Sequence, residues 1–121
     1  MRERNVFRRE GDYWTIVFDG KTVRLRDSKG MHYLAALLRR RGERIPSVDL
    51  QAAARRGSPG RPRLASSPEQ ARLAVTKALK TALQRIEAVH PTLAAHLEAT
   101  IRRGYLCRYF PDPRHPITWE E

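Results

Sequence analysis

A chain of 121 residues, 40% hydrophobic and 31% charged, has the composition of one globular domain with a single core rather than of a disordered segment. Its 24 Lys+Arg against 13 Asp+Glu give a formal charge of +11 and a pI near 11.0, an excess that attracts polyanions such as nucleic acid, acidic protein surfaces or anionic lipid. A single cysteine, Cys107, excludes an intrachain disulfide, and neither a membrane-spanning apolar run nor a signal-peptide pattern after Met1 is visible, so a reducing, cytoplasmic setting is expected.

In chain order, residues 1–11 read as a flexible arm. Residues 13–25, YWTIVFDGKTVRL, form two alternating segments around Asp19-Gly20, a pair that tolerates the positive φ of a type I′ turn. That turn sets Ile16 against Val23 and Trp14 against Leu25, giving a hairpin with one apolar face that must pack on another element. The next segment supplies it: Asp27 or Ser28 caps a helix whose apolar residues fall at Met31, Leu34, Leu37 and Leu38. Arg39, Arg40 and Arg41 suit the negative end of the helix dipole, and Gly42 stops it. A short extended piece, Arg44-Ile45-Pro46, leads to Ser47, a cap for a brief helix over 48–54.

Residues 55–67, opening RRGSPGRPRLAS, form an exposed Arg-rich loop with no acid. Ser67-Pro68-Glu69-Gln70 then restarts helix, with Ser67 as cap, Pro68 at the first helical position and Gln70 completing a capping box. This helix, 69–89, runs about twenty residues before Pro91 interrupts it. Pro91 begins another, with Leu93, Leu97 and Ile101 four apart and Gly104 as its stop. Residues 105–110, YLCRYF, have strand composition, and the tail 111–121 is extended, with Ile117 and Trp119 pinned to the body.

On a helical wheel Val75, Leu79, Ala82, Leu83, Ile86 and Val89 share the face that must be core. The opposite face presents Lys77, Lys80, Thr81 and Gln84, with Thr76, Arg72, Arg85 and Glu87 toward the flanks. Any surface helix shows a polar face, but this one mixes phosphate-binding cations with side chains that hydrogen-bond base edges. It has no acid at its centre. The preceding loop adds Arg55, Arg56, Arg61 and Arg63, and Arg102 and Arg103 stand beside Gly104. A basic helix flanked by two basic loops is the footprint of a domain that puts a helix into the major groove of double-stranded DNA and straddles phosphates.

The order hairpin, helix, short strand, short helix, loop, helix and C-terminal strand resembles the winged-helix domains of bacterial response-regulator transcription factors. RGERIPSVDLQ is similar to the segment where their helix-turn-helix begins, VTKALKTALQRI occupies the place of the recognition helix, and TIRRGYLCRYF resembles the wing and final strand. Over residues 11–119 the chain also resembles winged-helix-like modules at the C-terminal ends of bacterial regulatory ATPases and cyclase-type regulators, on GDYWTIVFDGKTVRLRDSKGMHYLAALL and on PDPR followed by a terminal Trp. The resemblance implies an α+β winged helix-turn-helix with an N-terminal β-hairpin, three to four helices and a C-terminal strand. It implies Lys77, Lys80, Thr81 and Gln84 in the groove, Arg102 and Arg103 on wing phosphates, and a loop over 55–67 placed to touch RNA polymerase. The chain departs from the family pattern in two places. A helix intervenes before the presumed wing, and the loop before the recognition helix exceeds the usual turn.

No catalytic or cofactor chemistry is legible. His32, His90, His96 and His115 lack the spacing of a zinc site, Cys107 has no CxxC partner, and GSPGRPR lacks the Gly-Lys-Ser/Thr ending of a phosphate loop. The sequence therefore leads to a DNA-binding transcriptional regulator or its DNA-binding module, as one domain over 1–121, with a homodimer required for palindromic sites. Two other readings stand beside it. In one the basic surface meets an acidic partner protein, and in the other the chain self-associates through apolar residues such as Trp119. A single continuous basic face would favour DNA, and scattered charge the acidic partner.

Overall fold

The computed structural model describes residues 4–55, 67–114 and 117–120. In chain order the elements are β1 (Asn5–Glu10), β2 (Tyr13–Phe18), β3 (Lys21–Arg26), α1 (Lys29–Arg39), β4 (Ile45–Pro46), α2 (Ser47–Arg55), α3 (Pro68–Val89), α4 (Pro91–Thr100), β5 (Ile101–Arg102), β6 (Leu106–Tyr109) and β7 (Trp119–Glu120). This is a mixed α+β architecture with four helices and two sheets, one ordered β3-β2-β1-β7 and the other β4-β6-β5. Among the described residues no helix is long and apolar enough to cross a membrane.

The hairpin stands in the expected register. Ile16 pairs with Val23 and Trp14 with Leu25, around Asp19 (φ 52°) and Gly20 (φ 74°), whose positive φ values are those the primed turn needs. The flexible arm expected over 1–11 is corrected over Asn5–Glu10, which form β1. Phe7 lies opposite Ile16 and is fully buried, so its apolar area repays ordering the segment. The tail returns to the same sheet, where Trp119 pairs in parallel with Asn5.

The inner face of this sheet, Phe7, Trp14 and Ile16, packs into one core with Met31, Leu34, Leu37 and Leu38 of α1. Beneath it, α1 crosses α3 at Gly30. A Cβ added there would lie 2.3 Å from the Ala78 carbonyl oxygen and 2.8 Å from the Ala82 Cβ, so the two backbones meet with no room for a side chain. Small residues on both helices allow that approach.

Polar groups join the layers. Asp27, one of the two caps proposed for α1, instead accepts from Trp14 Nε1 (2.7 Å) and contacts His32 Nε2 (2.8 Å) and Arg9 (3.3 Å), tying strand to helix. Ser28 occupies the cap position without a side-chain cap bond. His90 lies at the α3–α4 junction, as the sequence suggests, and is buried. Its Nδ1 accepts from the Leu93 amide (3.1 Å) and its Nε2 donates to the Phe18 carbonyl (2.8 Å), so one ring caps α4 and holds the hairpin. Phe18 stacks with both His96 and Trp119. Tyr109 Oη accepts from Trp119 Nε1 (3.1 Å), which leaves its own proton for His96 Nε2 (2.9 Å).

Three local readings need correction. Ser47 does not cap α2 with its hydroxyl, which donates to the Gly104 carbonyl. Ile101 leaves the helix after Thr100 and enters β5, its backbone opposite Tyr109, a setting that favours a branched side chain. Val89, placed on the core face of α3, is exposed in the last turn, where the buried partner is His90 instead.

Two predictions follow from this packing. Alanine favours helix over glycine by about 1 kcal/mol, but the overlap at a backbone oxygen outweighs it, so Gly30→Ala is expected to lower the unfolding free energy by roughly 1–3 kcal/mol, read as a lower urea midpoint at constant slope. Burial holds the His96 imidazole below its usual pKa near 6.5. Below about pH 6.5 the unfolded chain takes up a proton that the folded chain resists, so stability fully present above that pH is lost as the pH falls. The unfolding free energy should drop more steeply between about pH 7 and 5 in the wild type than in His96→Gln.

Candidate nucleic-acid interface

α3 is the longest element, 22 residues, and its start is fixed by chemistry legible in the sequence. Ser67 Oγ accepts from the Gln70 amide (3.2 Å), and Gln70 Oε1 accepts from the Ser67 amide (3.3 Å), the reciprocal bonds of a capping box. Ala71, Val75, Leu79, Ala82, Leu83 and Ile86 are buried against α1, α2 and α4. That burial sets the rotation of the helix and turns the opposite face outward.

On that outward face Lys77, Lys80, Thr81 and Gln84 are all exposed. Their i, i+3, i+4, i+7 spacing makes them one stripe. Lys77 and Lys80 form no ion pair among the described residues, whereas Arg4, Arg9, Arg40, Arg72 and Arg103 each do. Thr76 is half-buried at the border of the stripe. Leu73, 55% exposed, extends it toward the helix N-terminus.

Along one flank the stripe borders a cleft of about 590 Å³ between the start of α1 and α3. Lys77 and Thr81 line it together with Lys29, Ser28, His32 and Gln51. Lys29 and Gln51 carried no signal in the sequence as partners of α3, because they come from two other elements and converge only through the fold.

The expected flanking cations separate into groups. Arg72 pairs with Glu69, and its guanidinium lies 5.2 Å from the Tyr105 ring centroid. Tyr105 Oη also donates to Glu69, and hydrogen bonds from Arg72 and then Tyr105 hold the Glu69 carboxyl below the usual carboxylate range. Arg103 pairs with Glu98 (3.4 Å), and Arg102 is exposed on β5, opposite Arg108. The Tyr105 contact brings the β5–β6 turn to the N-terminal end of α3, because α4 runs back from the far end. Arg55 ends α2, and its side chain lies outside the described set, as do Arg56, Arg61 and Arg63 altogether.

The structure thus brings together Lys77, Lys80, Thr81 and Gln84, with Arg72 on the same helix held by Glu69 and Arg103 held by Glu98. Of the histidines, His32 meets Asp27, His90 serves as a cap and His96 meets Tyr109, while His115 lies outside the described residues. Cys107 is buried, with Ser47 Oγ 3.7 Å away.

No protein-family model, curated protein or solved structure matches the chain. Since the capping box satisfies the first amides of α3, Ser67→Ala should cost about 1 kcal/mol of unfolding free energy and fray the first turn, measured by urea unfolding and amide exchange at Ala71.

Proposed function

We propose that this chain is a winged-helix domain that binds double-stranded DNA as a bacterial transcriptional regulator or as the DNA-binding module of one. α3 lies in the major groove, whose width of about 12 Å accepts a helix. The observation that carries this reading is the exposed stripe of Lys77, Lys80, Thr81 and Gln84, with two lysines unpaired among the described residues and no acid between them. In it Thr81 and Gln84 hydrogen-bond base edges and the lysines meet either bases or phosphates. The topology supports it as well: the strand between the first two helices pairs with a hairpin that follows the last helix, as a winged helix requires.

The structure alters the roles first given to the flanking residues. Arg72 and Arg103 are already engaged by Glu69 and Glu98, so in this reading they brace the helix and the turn, and phosphate contact falls to Arg102 and Lys29. Thr76 borders the same contact. Arg55, Arg56, Arg61 and Arg63 complete it, and their loop is the proposed point of contact with RNA polymerase. The reading requires neither catalysis nor a cofactor, places the protein in the cytoplasm, and calls for a homodimer only if the site is palindromic.

A second reading, a protein-interaction module with an acidic partner on this same surface, is favoured by one observation. Leu73, one turn before Lys77, and Tyr105, against Arg72, are each 55% exposed and put on this surface apolar area that phosphates do not use.

The test is a titration against random double-stranded DNA of about 20 base pairs, two turns of helix, at several salt concentrations. Neutralising about four to six phosphates gives a log–log salt slope of roughly −4 to −5, and Lys77→Ala/Lys80→Ala should weaken binding and flatten the slope by about 2. Absence of binding at low salt by the folded protein would hand the surface to the second reading.

A further inference from the structure

The stripe on α3 leaves another part of the positive charge unexplained. β3 ends the four-stranded sheet and, among the described residues, pairs only with β2, so one row of its backbone amides and carbonyls has no strand beside it. Its side chains alternate cleanly. Arg24 and Arg26 are exposed on the outer face, level with Thr15 and Tyr13 of β2. Val23 and Leu25 point to the inner face, half-buried and packed against the core. Neither Arg24 nor Arg26 has an ion pair among the described residues. Arg8 continues the outer row through Thr15, whose buried hydroxyl oxygen has no hydrogen-bond partner.

We propose that the β3 edge is a docking site for an extended acidic segment of another protein, which adds as a further strand with its carboxylates on Arg24 and Arg26 and its apolar side chains beside Val23 and Leu25. The occupant follows from the chemistry of the edge. Two unpaired cations on one face call for anions at every second residue, the period of a strand. The apolar pair on the other face calls for apolar residues at the alternate positions, which a phosphate backbone does not carry. A second copy of the chain is disfavoured, since Lys21, Arg24 and Arg26 would face their own counterparts across the new pairing and each molecule carries +11. Tyr13, 46% exposed beside Arg26, adds contact area of the kind interfaces favour. α3 touches β3, so the edge and the α3 stripe are neighbouring surfaces built from different side chains, and the proposal does not depend on DNA binding.

The experiment uses the whole chain and a fluorescein-labelled peptide of about ten residues alternating glutamate and valine, near the upper length of a strand. Fluorescence anisotropy is read beside a polyglutamate of equal length, a lysine–valine peptide and the duplex DNA. The glutamate–valine peptide should bind, and binding should fall roughly tenfold in Arg24→Glu/Arg26→Glu and stay unchanged in Lys77→Ala/Lys80→Ala. The lysine–valine peptide should bind only the Arg24→Glu/Arg26→Glu variant, which separates a lost contact from a damaged fold. Amide exchange within β3 should slow on binding. Equal binding of polyglutamate, loss of peptide binding in the lysine variant, or an unchanged affinity in the arginine variant would overturn the proposal. Loss of DNA binding in Arg24→Glu/Arg26→Glu, with no peptide bound by the wild type, would instead assign the edge to nucleic acid.

Discussion

The contact on which the rest of the structure depends is the crossing of α1 over α3 at Gly30. With Ala78 and Ala82 beneath it, the approach is close enough that a methyl group on Gly30 would overlap a backbone oxygen. α1 packs on α3 and shares one core with the N-terminal sheet, which α3 also touches at β3. Its distance from α3 therefore sets the depth of the cleft between them and the outward rotation of Lys77 and Thr81. A wider crossing would change the surface of α3 without touching any residue on that surface. Dense cores pass on such displacements because they have little free volume to absorb them.

Around that crossing the polar side chains act as fasteners. Asp27 collects a tryptophan, a histidine and an arginine from three elements. His90 ties two helices to the turn of the hairpin, and Tyr109 joins α4 to the returning tail through His96 and Trp119. Buried polar groups are costly unless paired, so each of these assemblies specifies one arrangement of layers where apolar packing alone would tolerate several. His32, His90 and His96 each take a protein partner in these assemblies.

Local chemistry was legible in the sequence. The Asp19-Gly20 turn, the Ile16–Val23 and Trp14–Leu25 register and the Ser67–Gln70 capping box each involve neighbours in the chain and rules with short reach. What escaped were features created by distant residues. Nothing near Asn5 announces a strand until Phe7 finds Ile16, and nothing near Gly30 announces a helix crossing until Ala78 and Ala82 arrive beneath it. For the surface, composition exposed the stripe on α3 because periodicity alone separates its two faces. It could not show that Arg72 and Arg103 would be held by Glu69 and Glu98, since a count of charges does not reveal which are already paired. Nor could it distinguish an open sheet edge from a covered one.

The second sheet has a consequence for how the molecule comes together. β1, β2 and β3 are sequence neighbours joined by tight turns, so that meander closes only short loops. β4, by contrast, pairs with β6, Ile45 with Cys107, and the chain between them holds α2, α3 and α4. Joining those two short strands shuts a long loop around half the protein, with few ladder bonds to offset the lost chain entropy until the helices inside have packed. Loop-closure entropy therefore favours an order in which the meander and α1 come first and the β4–β6 clasp last. Residues at the clasp, Ser47 and Cys107 among them, would then govern how fast the finished molecule opens rather than how fast it forms.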